Sequence, residues 1–375
     1  MRKIAVLICT LLILNLTLPV YADAEDAVQK LGELRKITNE LKYIDSFAKM
    51  DGKIQKKEYI NNDMNFEINK KLAIPKIAEV GIKTIDNFGE TLTMKLPQTL
   101  NETQGVMLKD GTIVYNDRIK ETSILVQGIK ESNNYGENYG IRSLIKIDSA
   151  EAPHEYEFIF ELPNGYRLIK SEDYVKMLKG KDVNSDVSWI GENLIYIIDA
   201  EDNIIYTIDE PWAKDATGKD VNTYYMIENN KLIQVIDFDE NTTFPVIADP
   251  TYRGTIYKTE TINLDNTYSD ICKLEEMIND INDKQNANLP KILSHINNVF
   301  ALFNIYTGVF SLGISGCIQS YYQFLESCED TYSKIMTYFA KGGNRAKINY
   351  NYVGTYQGKN KGYVYKIRSV DYELR

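Results

Sequence analysis

The chain has 375 residues, with 43 basic and 53 acidic side chains, a formal charge of -10 at neutral pH and 43% apolar residues. That apolar share excludes a disordered chain, the length allows two or three folded units, and the acidic balance argues against a general nucleic-acid binder. Only two histidines occur, His154 and His295, which removes most zinc sites and makes a histidine-based triad or proton relay an unexpected solution.

The first segment reads as an export signal. Arg2 and Lys3 precede an uncharged run over 4–20, and Val20-Tyr21-Ala22 ends in the small residue that signal peptidase requires, with Ala24 as a second site. The run is shorter than the roughly 20 residues that span a bilayer, so cleavage is favoured over a retained anchor. Cys9 follows Ile8 inside the apolar run, where a lipid-attachment site would want a small residue. Loss of residues 1–22 removes two basic residues and no acidic one, leaving 41 against 53. The expectation is a secreted or cell-surface protein.

Residues 23–76 form the next zone. Ala27, Leu31, Leu34, Leu41, Ile44 and Ala48 recur at three- and four-residue steps and predict an amphipathic helix over 24–50. Asp51-Gly52 and Ile74-Pro75 bound a more polar connecting stretch with some helix in it.

From 77 to 260 the texture changes to short, alternating or β-branched runs cut by turn residues. Strands are predicted over 91–96, 112–115, 123–127, 143–147, 156–162, 193–198, 204–208, 223–227 and 232–236, a spacing that suits an all-β sandwich or barrel. Lys109-Asp110-Gly111, Pro163-Asn164-Gly165 and Glu228-Asn229-Asn230 stand where hairpins reverse. Residues 199–210 have the acidic spacing of a calcium loop, but the sixth place, which demands glycine, is Ile204, and a plain hairpin is favoured.

Within this zone Tyr156-Glu-Phe158, Glu161-Leu-Pro163, Pro211-Trp212-Ala-Lys-Asp215 with Gly218, and Phe244-Pro-Val-Ile-Ala-Asp249-Pro250-Thr251 stand out. Residues 149–252 with these motifs resemble a β-rich module recurring in uncharacterised secreted proteins of Gram-positive bacteria. The resemblance implies architecture and export, and no chemistry. Locally, Trp212 reads as an aromatic core anchor, Asp215 to Gly218 as a turn and Asp249-Pro250 as a strand stop.

Residues 264–341 turn helical. A helix is predicted over 266–284, with Thr267 as its cap and Leu264, Tyr268, Ile271, Leu274, Ile278 and Ile281 as its apolar stripe. Pro290 suits the first turn of the next helix. No Asp, Glu, Lys or Arg occurs from Ile292 to Leu325. On a helix, Asn297, Ala301, Asn304, Gly308, Ser311, Ser315 and Gln319 line up as one narrow seam among large apolar residues. Such a helix suits either a protein core or seam-to-seam packing in a bilayer. A break among Gly308, Gly313 and Gly316 makes a helical hairpin.

Cleavage of the signal leaves Cys272, Cys317 and Cys328 in a compartment where disulfides persist. On one continuous helix Cys317 and Cys328 stand about 16 Å apart, beyond bridging distance, so a disulfide uses Cys272. The alternative is three buried thiols.

The final zone, 342–375, holds seven basic and two acidic residues interleaved with six tyrosines. A β-hairpin over 348–356 and 363–372 is predicted, suited either to an anionic envelope surface or to an ordinary solvated edge. The resulting expectation is an α+β, multidomain, non-enzymatic exported protein. It has no cofactor or metal site and contacts an anionic envelope or membrane, as an antagonistic or pore-forming factor. The alternative is a structural or ligand-binding surface protein whose helices pack its own core. A hydrolase comes third, because no acidic pair can be singled out.

Overall fold

A computed structural model describes residues 56–375 apart from 61–62, 69–71, 101, 108–111, 118–120, 134–135, 182, 184, 186, 282–288 and 304–317. The signal segment, the helix expected over 24–50 and the turn at Lys109-Asp110-Gly111 lie outside the described residues.

The chain is α+β, with three antiparallel sheets and four described helices. The first sheet runs Lys56–Ile60, Asp63–Ile68, Leu72–Ile74, Ile82–Ile85, Thr91–Lys95, Glu155–Glu161, Lys231–Asp237, Asn222–Glu228. The second runs Arg167–Lys170, Ile195–Ile198, Ile204–Ile208, Thr251–Gly254, Gly136–Ile147, Thr122–Asn133, Ile113–Asp117, Val106–Met107, with Val246–Asp249 joining Gly136–Ile147 to Trp212–Lys214. One apolar cluster draws on both sheets, Leu92, Phe158 and Leu232 from the first, Ile124, Ile145 and Ile197 from the second. Phe160 meets Tyr252 edge-on across the gap, 6.4 Å between ring centres. The pattern is a sandwich, as the alternating runs predict.

Two stretches depart from the sequence reading. Within the stretch over 51–75, expected to be a linker with some helix, Lys56–Ile60, Asp63–Ile68 and Leu72–Ile74 are strands at the end of the first sheet. Sheet addition overrides weak local preference because every added strand satisfies a row of backbone groups. The sandwich is also not purely β, since helix α1, Ser171–Lys181, sits between two strands of the second sheet and buries Tyr174 and Leu178.

Of the expected hairpin turns, Asn229, at φ +54°, makes the two-residue reversal between Asn222–Glu228 and Lys231–Asp237. Pro163-Asn164-Gly165 is corrected: it carries the chain from Glu155–Glu161 of the first sheet to Arg167–Lys170 of the second, with Gly165 at φ +83°, because the two strands it joins pair in different sheets. The loop after Asp199 is a plain turn. The Asp199 carboxylate accepts from the backbone N–H of Glu201 and of Asn203, at 3.0 and 2.8 Å, and among the described residues no acidic, histidine or cysteine cluster suits a metal.

The third sheet and three helices form a second core. Ile256–Asp265 pairs with Arg345–Tyr356, which pairs with Tyr363–Leu374. Against this sheet pack α2 (Tyr268–Asp280), α3 (Leu289–Leu302) and α4 (Ile318–Ala340). Thr267 caps α2, its side chain accepting from the Asp270 N–H at 3.3 Å. Leu274, Met277 and Ile281 face inward, whereas Tyr268 is 86% exposed. In α4 the buried residues Leu325, Cys328, Tyr332, Ile335 and Phe339 recur every three or four positions. Among the described residues no helix is long and apolar enough to cross a membrane.

Candidate functional site

The two motifs that carry the resemblance meet in space. Trp212–Lys214 pairs with Val246–Asp249, placing Trp212 opposite Asp249. The half-buried indole donates its N–H to the Asp249 carboxylate at 2.9 Å. Thr251 donates to the same carboxylate at 2.6 Å, and the Tyr225 hydroxyl donates to the Asp249 carbonyl at 3.0 Å. Asp249 is 4% exposed. Burial raises its carboxyl above the ordinary range, while the Arg142 charge, 4.0 Å away, and the two side-chain donors pull it back. Beside it Arg253 forks onto Asp209 with contacts of 2.9 to 3.1 Å and lies over the Tyr356 ring. Two carboxylates and two guanidiniums thus meet in one network that holds the strand ends together, and burial raises the Asp209 carboxyl well above its ordinary range as well.

A second buried chain stands in the helical unit. His295 lies on the inner face of α3 with Ile292, Ile296 and Val299, and is 1% exposed. Its Nδ1 meets the Asp280 carboxylate at 2.7 Å and its Nε2 the Tyr332 hydroxyl at 3.0 Å; Tyr332 in turn bonds Tyr350. Burial lowers the His295 pKa against the opposing pull of Asp280. Asp280, His295, Tyr332 and Tyr350 thus form one hydrogen-bonded chain that ties α2, α3, α4 and the third sheet. The one signal for it in the sequence is a histidine at apolar spacing within the charge-free stretch. Its burial makes it a link between elements.

The cysteine pairing is corrected. Cys272 and Cys328 are both free thiols, the first half-buried on α2 and the second buried in α4. Apolar packing around Cys328, with Tyr332 beside it, pushes that thiol up to about 12, so it behaves as a core residue. Cys317 lies outside the described residues.

Of the small-residue seam, Asn297 and Ala301 are exposed, because α3 turns its larger residues inward. At this end the packing surface is Ile292, Ile296, Val299 and Phe300, and the seam faces away from it. Asn304, Gly308, Ser311 and Ser315, with the break expected among the glycines, lie outside the described residues. The tail tyrosines serve packing more than display: Tyr350, Tyr352 and Tyr365 are buried. Arg345 pairs with Asp265 and Arg375 with Glu373, which leaves less free basic surface than the composition implies.

Two clefts remain. The larger, about 730 Å³, lies beside α1 and is lined by Lys170 and Lys176 together with Glu172, Asp173 and Glu210, so its charges offset one another. The smaller, about 340 Å³, lies where the terminal hairpin meets α4, α1 and the sandwich. Lys366 and Arg368 line it, and among the described lining residues there is no carboxylate. Lys366 is 9% exposed, its ammonium over the Trp189 ring. Arg368 is exposed, stacked 4.3 Å from the centre of Phe88, with Nη1 donating to the Tyr257 hydroxyl at 3.3 Å. An excess of positive charge beside aromatic walls fits an anion. Comparison with protein-family models, curated proteins and solved structures found no match.

Proposed function

We propose that the chain is an exported, non-enzymatic binding protein that holds an anionic component of a cell envelope at the cleft under its terminal hairpin. The observation that carries this reading is the pairing of Lys366 and Arg368 in a cleft without a described carboxylate, within a chain of net charge -10. In an acidic protein such a cleft is a local reversal of potential, and it selects anions by contrast with the surface around it. Export is supported by the signal-like residues 1–22 and by the resemblance to secreted modules. The inward-facing apolar sides of α2, α3 and α4 favour helices that pack their own core, so attachment is to a surface and needs no spanning helix.

The test is co-sedimentation of the mature protein with anionic and with zwitterionic vesicles, and retention on a carboxylated polymer, at low and moderate salt. Retention on anionic surfaces that weakens as salt rises is expected. Protein that stays wholly in the supernatant at low salt on every anionic surface overturns the reading.

A further inference from the structure

We infer that the cleft is a site for a phosphate ester of a small polyol, an assignment that rests on the anionic-partner reading above. Its geometry comes from a break in the hairpin ladder. Tyr352 pairs with Ile367 but the next residue back, Asn351, pairs with Ser369, so Arg368 is an extra residue in the strand. In a regular strand neighbouring side chains alternate between faces, and a bulge turns successive ones to the same side. Here five consecutive residues, 366 to 370, line one cleft. Bulges recur where a strand must re-aim a side chain, and this one delivers Arg368 to the mouth, with Lys366 deeper in.

The hydroxyls of the cleft are already polarised. Ser369 Oγ accepts from the Asn351 amide at 3.0 Å, and Thr355 Oγ1 accepts from the Gln357 amide at 2.9 Å. Each hydroxyl has thereby used an acceptor site on a neighbour and keeps its O–H to donate. The cleft is therefore lined by a guanidinium, an ammonium and two hydroxyl-bearing side chains. A carboxylate takes its donors close to one plane, whereas the three non-bridging oxygens of a phosphate monoester are set tetrahedrally and accept donors that converge from several directions. A guanidinium fork also matches phosphate geometry, and the stacking on Phe88 and Tyr257 holds it without an acidic partner among the described residues. At about 340 Å³ the space is at the small end of ligand pockets, which suits a glycerol-sized ester and is tight for a nucleotide. Phosphodiesters of the same polyol, whether a lipid headgroup or a repeating envelope polymer, present the same group with one oxygen fewer.

The experiment titrates the full mature chain with sn-glycerol 3-phosphate and follows tryptophan fluorescence, since Trp189 lies against Lys366. A saturable change with glycerol phosphate, and none with glycerol, is expected. Arg368→Gln, at an exposed position, is expected to weaken binding about tenfold or more, the size of one lost charge-assisted bond. Lys359→Gln, a hairpin-turn cation away from the cleft, is expected to leave it unchanged. No saturation, an equal response to glycerol, or equal weakening by both substitutions overturns the assignment. Anionic surfaces that still retain the protein while the titration is flat sink the cleft ligand and spare the envelope reading; a saturable titration without surface retention does the reverse. Phosphatidylglycerol vesicles that compete with glycerol phosphate point to the lipid source, and vesicles that do not compete point to a soluble or polymeric one.

Discussion

Asp249 shows how much of this protein rests on single polar residues. It is buried, its carboxylate takes hydrogen bonds from Trp212 and Thr251, and Arg142 stands 4.0 Å away. A buried carboxylate that loses one donor cannot recover it from water, so the penalty exceeds the net worth of an ordinary hydrogen bond. Trp212→Phe keeps an aromatic ring but deletes the N–H together with the second ring that carries it. It is expected to lower stability by about 1–3 kcal/mol in urea unfolding. A variant as stable as the parent would mean that Thr251 and Arg142 suffice. The chemistry of the pair was visible in the sequence as two motifs 37 residues apart; that they face each other is a consequence of strand pairing.

At the scale of elements, the helices are held as much by a polar chain as by their apolar faces. His295 touches Asp280 of α2 and Tyr332 of α4, and Tyr332 bonds Tyr350 of the third sheet. Burial favours neutral imidazole in the folded state, so its pKa lies below the ordinary 6.5. On acidification the unfolded chain takes up this proton first. The contribution of His295 to stability is therefore complete above about pH 6.5 and declines as pH falls through that value toward the lower native one. His295→Gln keeps a polar side chain without the titration. Thermal midpoints of the two proteins measured between about pH 7.5 and 5 are expected to converge on acidification, because only wild type carries this loss. A constant gap between the two curves would show that the native imidazole accepts its proton without cost.

At the scale of the molecule, the terminal hairpin fastens the second core onto the sandwich. Gln357, 2% exposed, accepts from the Gly191 N–H at 3.0 Å and from the Tyr196 hydroxyl at 2.6 Å, and Lys361 donates to the Ile190 carbonyl at 2.7 Å. Gly191 is required by this approach, since a Cβ there would stand 2.4 Å from the Gln357 carbonyl oxygen. Gly191→Ala must push the hairpin tip away and is expected to cost about 1–3 kcal/mol. Trypsin should then cut after Lys359 and Lys361 faster than in wild type. Unchanged cleavage would show that the tip is held by Lys361 and the strand ladder without Gln357. The same clamp shapes the cleft, because the strand bearing Lys366 and Arg368 leaves directly from it.

The sequence by itself determined the local grammar of this protein. β-Branched runs such as 204–208 became strands, Asn229 made its turn, Thr267 capped its helix and Tyr363–Leu374 closed the terminal hairpin. Each follows from interactions within a few residues, which the sequence states directly. Tertiary structure decided the rest. Strands over residues 56–74 exist because a sheet edge was there to pair with, and the two polar networks join residues far apart in the chain, Arg142 with Asp249 in one and Asp280 with Tyr350 in the other, that no local pattern relates. Cys272 and Cys328 remain thiols because the helices that carry them present them to different surroundings, one half-buried and one closed in the core. Arg368, on the rim of the cleft, is the one extra residue in an otherwise regular hairpin ladder. Register is set by what packs on both faces of a strand, so a bulge is fixed only when the whole fold is assembled.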